Sequence, residues 1–238
     1  MVLHQGEKYF QFHHEMKFVL NKLIYACTIL IQRIYISTDQ NYFRTMTPER
    51  EEKFKRVIAK RQTDLTVVFE NVNDPHNISA VLRTCDSVGV KEVYIIQTIE
   101  RPYTKLGKKS SSSASKWIEI HWFFSVKECM AEVQKKYKNI FGTKLTEQSK
   151  SLYELNLKES TALVFGNEHS GISDKLANSC TGNFLIPQVG MIESLNISVA
   201  CAVSLYEAYR QRSIAGKYKT PMLTESELQK EFLKLREK

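Results

Sequence analysis

Three stretches of the chain combine polar side chains with turns that would leave them open to a ligand. The first is Asn73-Asp74-Pro75-His76-Asn77, which runs into Ile78-Ser79-Ala80-Val81-Leu82-Arg83. At about 100° per residue, Ile78, Val81, Leu82, Cys85 and Val88 form one apolar stripe, and Arg83 falls on the other side near Ser79 and Ser87. Asn77 stands where an N-cap belongs. An arginine close to a helix N-terminus suits a phosphate or ribose oxygen, although a plain cap and a solvated arginine fit the same spacing. The second stretch is Leu163-Val164-Phe165-Gly166-Asn167-Glu168-His169-Ser170-Gly171, an apolar run leading straight into Gly-x-Glu-x-x-Gly. Its glycines allow a ligand close to the backbone with a carboxylate between them; a turn carrying a solvated glutamate is the plainer alternative. The third runs from Ile186 to Ala200. An irregular loop with Gly190 and Met191 precedes an apolar helix that opens with Ser194 and Asn196, both good capping residues.

Alternating strands and helices must position these stretches. Strands are expected at Leu65–Glu70, Val90–Ile96, Trp117–Trp122, Ile140–Thr143, Ala162–Gly166 and Phe184–Pro187. Helices are expected at Asn77–Val88, closed by Gly89, from Ser125 through Tyr137 with a Ser125/Glu128 capping box, and at Ser173–Ser179 and Asn196–Arg212. The last is apolar nearly all round, which implies deep burial. This order indicates an α/β fold with a mainly parallel sheet and helices on both faces. Ligands of such sheets bind beyond the carboxyl ends of the strands, here in the loops after Glu70, Thr143, Phe165 and Ile186.

Other chemistries lack their motifs. No G-x-G-x-x-G follows the first strand, and no G-x-x-x-x-G-K-[ST], H-E-x-x-H or G-x-S-x-G occurs. The five cysteines are scattered without C-x-x-C, so no metal is expected, and a reducing, cytoplasmic setting is. The net charge of +8 suits a polyanionic partner. Residues 1–45 differ in composition, and their apolar run Leu23–Ile31 is too short to span a membrane. Met46-Thr47-Pro48-Glu49 reads as a fresh start, so 1–45 is expected to be a dispensable or untranslated extension. Residues 46–64 then form a basic N-terminal helix, 65–212 the central domain and 213–238 a C-terminal basic tail or helix.

In this order the three stretches resemble the signature motifs of the SPOUT superfamily of RNA methyltransferases, and most of all its TrmH-type branch of ribose 2′-O-methyltransferases. The resemblance covers roughly residues 46–220. The short helices before and after the domain resemble those of the enzymes that methylate guanosine 18 in the tRNA D-loop. The resemblance implies a C-terminal trefoil knot, a homodimer, S-adenosyl-L-methionine as methyl donor and tRNA as partner. Another tRNA or rRNA position, or a non-catalytic RNA-binding relative, stays open. Asn77, Arg83, Glu168, Ser194 and Asn196 match catalytic positions, and Thr143, Gly166, Ile186 and Leu195 match positions around the methyl donor.

The resemblance places Arg83 in the base role, but arginine stays protonated in proteins. Arg83 is therefore expected to stabilise a developing alkoxide while an RNA phosphate anchors it, with Glu168 organising the arginine or the ribose. For RNA docking, Arg101, Lys105, Lys108, Lys109 and Lys116 lie in a stretch without acids, rich in serine. Lys53, Arg56 and Lys60 on the first helix, and Lys217 and Lys219 after the last long one, complete the expected phosphate contacts.

Overall fold

The computed structural model describes residues 46–98 and 114–237. Contacts divide the chain between Pro48 and Glu49, and apart from the first residue of helix α1, the regular elements among the described residues belong to the unit Glu49–Lys238. Helix α1 is Pro48–Ala59, followed by β1 Leu65–Glu70, α2 Pro75–Ser87 and β2 Glu92–Ile96. A 3₁₀ turn at Ala114–Lys116 leads to β3 Glu119–Phe123, α3 Val126–Lys136 and β4 Asn139–Gly142. Next come β5 Lys150–Ser151, β6 Thr161–Phe165, α4 Asp174–Ala177 and β7 Gly182–Leu185, then α5 Ile197–Ile214 and α6 Glu225–Arg236.

The seven strands form one sheet in the order β3-β2-β1-β6-β4-β7-β5, and every pairing is parallel. Alternation along β1 sends Leu65, Val67 and Phe69 to one face, where they meet Ile78, Val81 and Leu82 of α2 and Cys201, Leu205 and Ala208 of α5. Val68 faces the other way, joining Ile96, Ile140 and Val164 beneath Val126, Met130 and Val133 of α3. Each of the Val, Leu, Ile, Phe and Met side chains among them contributes about 1.5–3 kcal/mol by leaving water. Burial on both faces explains why β1, β2 and β6 read as unbroken apolar runs rather than alternating ones.

Several boundaries depart from expectation for local reasons. Asp74, not Asn77, caps α2: its carboxylate accepts from the His76 N–H at 2.8 Å, with Pro75 opening the helix. Ser79 is buried rather than solvated beside Arg83. Ser125 flanks α3 in extended conformation, yet its side chain makes no capping hydrogen bond, so the expected box is absent. Strand β5 carries too few residues to leave a periodic signal. Gly89 does follow α2 with φ +82°, where a Cβ would stand 2.6 Å from the Lys60 carbonyl oxygen.

Helix α5 is not buried all round. Ile197, Cys201, Leu205 and Ala208 are buried, while Val199, Tyr206 and Tyr209 are open to solvent. Its far end is locked by the fully buried Arg212, which donates to the carbonyls of Leu157 (2.9 Å), Glu159 (2.7 Å) and Asp64 (3.1 Å) and to Gln62 Oε1 (3.0 Å). It also pairs with the Asp64 carboxylate. Among the described residues, no helix is long and apolar enough to cross a membrane.

Candidate active site

Strands β1 and β6 are neighbours, but the chain leaves β1 toward β2 on one side while β4 and β7 lie on the other. The crevice at this change of direction, at the carboxyl edge, is where open α/β sheets hold ligands. Two loops wall it. The loop after β6 folds back on itself: Asn167 and Gly171 exchange backbone hydrogen bonds (3.2 and 2.8 Å). A Cβ on Gly166 would lie 2.0 Å from the Gly171 carbonyl carbon, so only glycine fits. The fold-back leaves Glu168 exposed within the loop. Its far end is held by the buried Glu70, whose carboxylate accepts from the Ser173 N–H (2.6 Å) and hydroxyl (2.7 Å).

The three motifs meet here through their side chains. Asn77 Nδ2 donates to Glu168 Oε1 at 2.6 Å, across 91 residues of sequence. Asn196 Nδ2 donates to Asn77 Oδ1 at 3.2 Å, across 119 residues. Asn196 also caps α5, its Oδ1 accepting from the Ser198 N–H (2.9 Å) and hydroxyl (2.6 Å). Because Asp74 takes over the cap of α2, the Asn77 amide is free to serve this chain. Arg83 is exposed on α2, about 9 Å further along the helix axis by its six-residue rise, and has no ion-pair partner among the described residues. Ser194 is exposed two residues before the cap and stands outside the hydrogen-bonded chain.

Thr143, Gly166 and Ile186 follow the adjacent strands β4, β6 and β7. Thr143 spends its hydroxyl on the Val164 carbonyl (3.1 Å), and Ile186 packs half-buried against the core. Leu195 is 37% exposed in an irregular loop that also presents Val189, Met191 and Ile192 to solvent. Of the expected phosphate contacts, Lys53, Arg56, Lys60, Lys116 and Lys219 are exposed. Lys217 is committed elsewhere, donating to Asp64 Oδ2 at 2.6 Å in the Arg212 lock. Arg101, Lys105, Lys108 and Lys109 lie outside the described residues, as does the 1–45 extension. Helix α1 carries four cations against three acids, and α6 three against three, so neither is strongly basic.

Among the described residues, cysteine chemistry has no support. Burial pushes the Cys129 and Cys180 thiols up to about 12 and raises those of Cys85 and Cys201 as well, so none of these supplies a thiolate at neutral pH. Glu92, Glu119 and His121 gather at the other end of the sheet, in a geometry open to a metal. Their charge is already met: Glu92 accepts from Tyr137 (2.8 Å), Tyr94 (2.9 Å) and Lys136 (3.0 Å) and contacts His121 Nε2 at 3.0 Å, while Lys234 pairs with Glu119.

Sequence reasoning passed over Asn71, Thr98, Glu70, Ser173 and any role for Asn167. Asn71 leaves a clue, since asparagine directly after a strand suits a left-handed turn, and it has φ +51°. The partners of the others are long-range and leave no local pattern.

A parallel sheet of this order, with these motifs joined at its carboxyl edge, defines a class, and the chain belongs to it: the profile of the SpoU rRNA Methylase family matches residues 64–206. Among its relatives, the tRNA (guanosine(18)-2′-O)-methyltransferase of Thermus thermophilus is 37% identical, over 76% of this chain and 92% of that one. The crystal structure of the A. aeolicus TrmH/SpoU tRNA modifying enzyme superposes with a TM-score of 0.73 at 36% identity, covering 79% of this chain and 94% of that one. The SpoU methyltransferase AviRb from Streptomyces viridochromogenes, crystallised in complex with its cofactor AdoMet, aligns at TM-score 0.56 and 26% identity, over 66% and 60%.

Proposed function

We propose that this protein methylates a ribose 2′-hydroxyl in tRNA, that of guanosine 18 in the D-loop, with S-adenosylmethionine as donor. The observation that carries the reading is the chain Asn196–Asn77–Glu168, with Arg83 exposed on the same helix as Asn77 and without an ion-pair partner among the described residues. The donor fits the residues present. The loop from Ile186 to Asn196 has no regular structure and exposes apolar side chains, so backbone polar groups and apolar surface together suit a nucleoside. Thr143, Gly166, Ile186 and Leu195 would hold it, and when bound it supplies an electrophilic sulfonium methyl.

The chain's own residues act on the ribose. Asn77 ties up one oxygen of Glu168, leaving the other to accept from the incoming hydroxyl. Arg83, protonated, stabilises the negative charge that develops on that oxygen and is anchored by an RNA phosphate. The proton leaves through Glu168 or a relay beginning there, rather than resting on Arg83. Asn196 orients Asn77, while Ser194 stands ready to meet substrate.

Finer features belong to the same reading. The α5 lock on residues 157 and 159 supports a C-terminal trefoil knot, in which this helix is the threaded element. The open face of α5 and the apolar loop Val189–Leu195 support a homodimer with a second copy seated there; a monomer by sedimentation at micromolar concentration removes it. The four free, described cysteines agree with a cytoplasmic setting.

The test is a nucleoside digest of unmodified tRNA transcripts treated with the full chain and S-adenosylmethionine. The expected product is 2′-O-methylguanosine, absent when guanosine 18 is replaced. Methylation at another position overturns the site assignment, and bare riboses in every transcript overturn the activity.

A further inference from the structure

Glu168 sits in a loop, yet its carboxylate meets Asn77 at 2.6 Å, and something must hold the loop to that tolerance. The neighbouring amide does so from both sides. Asn167 Oδ1 accepts the His169 N–H at 2.9 Å, pinning the residue after Glu168. Asn167 Nδ2 donates to the Asn71 carbonyl at 2.9 Å, tying the same loop to the turn that leaves β1. Asn71 is itself fixed. Its N–H donates to the Ile96 carbonyl (2.9 Å), its Nδ2 donates to Thr98 Oγ1 (2.9 Å), and its Oδ1 accepts the Thr98 N–H (2.9 Å). That bracket holds Asn71 at φ +51°, a left-handed conformation asparagine tolerates better than other side chains.

We infer that Asn71 and Asn167 are positioning residues for the methyl transfer: together they link the ends of β2, β1 and β6 and set where Glu168 meets Asn77. This rests on the proposed activity. Neither side chain is placed to touch the ribose; each acts through Glu168. The order of bonds is Thr98 to Asn71, Asn71 to Asn167, and then, through one residue of backbone, Glu168 to Asn77. A slip of about an ångström at the catalytic carboxylate is enough to cost on the order of a hundredfold in rate, which sets the ceiling for losing the bracket.

A double-mutant cycle reads this directly. In Asn167→Ala, kcat on tRNA is expected to fall about tenfold, while KM for tRNA, calorimetric affinity for S-adenosylmethionine and the melting midpoint stay close to wild type. In a Glu168→Gln background the same substitution changes kcat by less than about twofold, because the group being positioned is already gone. Asn71→Gly keeps the left-handed turn and the carbonyl but drops every side-chain bond to Thr98, and it is run in the same cycle should Asn167→Ala fail to fold. Equal losses in both backgrounds overturn the inference, as does a loss confined to KM or cofactor affinity. Wild-type protein that leaves tRNA unmethylated overturns the proposed activity and this inference with it. An active wild type with an additive cycle overturns the positioning role alone.

Discussion

Arg83 and Arg212 have opposite surroundings. Arg212 has no exposed surface and gives its guanidinium to five acceptors at the amino-terminal end of the sheet. Arg83 is exposed on the helix that starts at the carboxyl edge, without an ion-pair partner among the described residues. The same split divides the two ends of the sheet. At the amino-terminal end the charges of Glu92, Lys136, Asp64 and Lys217 are closed into networks. At the carboxyl edge Glu168 keeps one oxygen without a hydrogen-bond partner among the described residues. Satisfied buried charge holds a structure together, whereas charge left open by a rigid scaffold is available to a substrate.

The largest effect that tests this contrast is on Arg83. Arg83→Ala is expected to lower turnover by about 10³-fold, comparable to losing one oxyanion donor, with the melting midpoint unchanged. Arg212→Ala should do the reverse. By taking the guanidinium away from five acceptors, and leaving the Asp64 carboxylate with Lys217 as its remaining partner, it should destabilise the fold by about 3–5 kcal/mol, while whatever protein remains folded keeps its cofactor affinity. Chemical denaturation and single-turnover assays of both variants check the pair. A stable Arg212→Ala or an active Arg83→Ala would erase the distinction between the two ends.

The smallest effect sharpens it. Burial alone would raise the Glu92 carboxyl, but hydrogen bonds from Lys136, Tyr137 and Tyr94 outweigh it, and its pKa is lowered. A carboxylate whose folded pKa is lowered contributes stability that is full above its unfolded value and is lost as pH falls through the folded one. The wild-type melting midpoint should therefore decline on acidification below the usual glutamate range, by about 2–4 °C for each kcal/mol lost. Glu92→Gln should start lower at neutral pH and show a flatter acid limb. An unchanged slope in that variant would show that the closed network carries none of the acid sensitivity.

Much of the site was legible because each motif is local. Asn77, Arg83, Glu168 and Asn196 stood out by residue type next to turns and apolar runs, and the rule for parallel sheets pointed to the edge where Asn77, Glu168 and Asn196 meet. What Asn77 does there was hidden. Its position suggested a cap, and only the competing carboxylate of Asp74, three residues earlier, releases it to bond Glu168. Lys217 looked like a free cation because its partner, Asp64, is 153 residues away. The open face of α5 was misread for a related reason: an apolar helix surface looks the same in sequence whether the fold covers it or leaves it open.

By itself, the order of apolar strands and amphipathic helices determined an α/β protein with a parallel sheet, since burial on both faces demands runs of this kind. It also determined which polar residues follow which strand. Tertiary structure alone decided the pairings: Asn196 with Asn77, Asn77 with Glu168, Asn167 with Asn71, Arg212 with Asp64. A hydrogen bond requires its atoms to lie within about 3.5 Å, and contacts spanning roughly a hundred residues are set by strand order and loop closure, which no window of sequence contains.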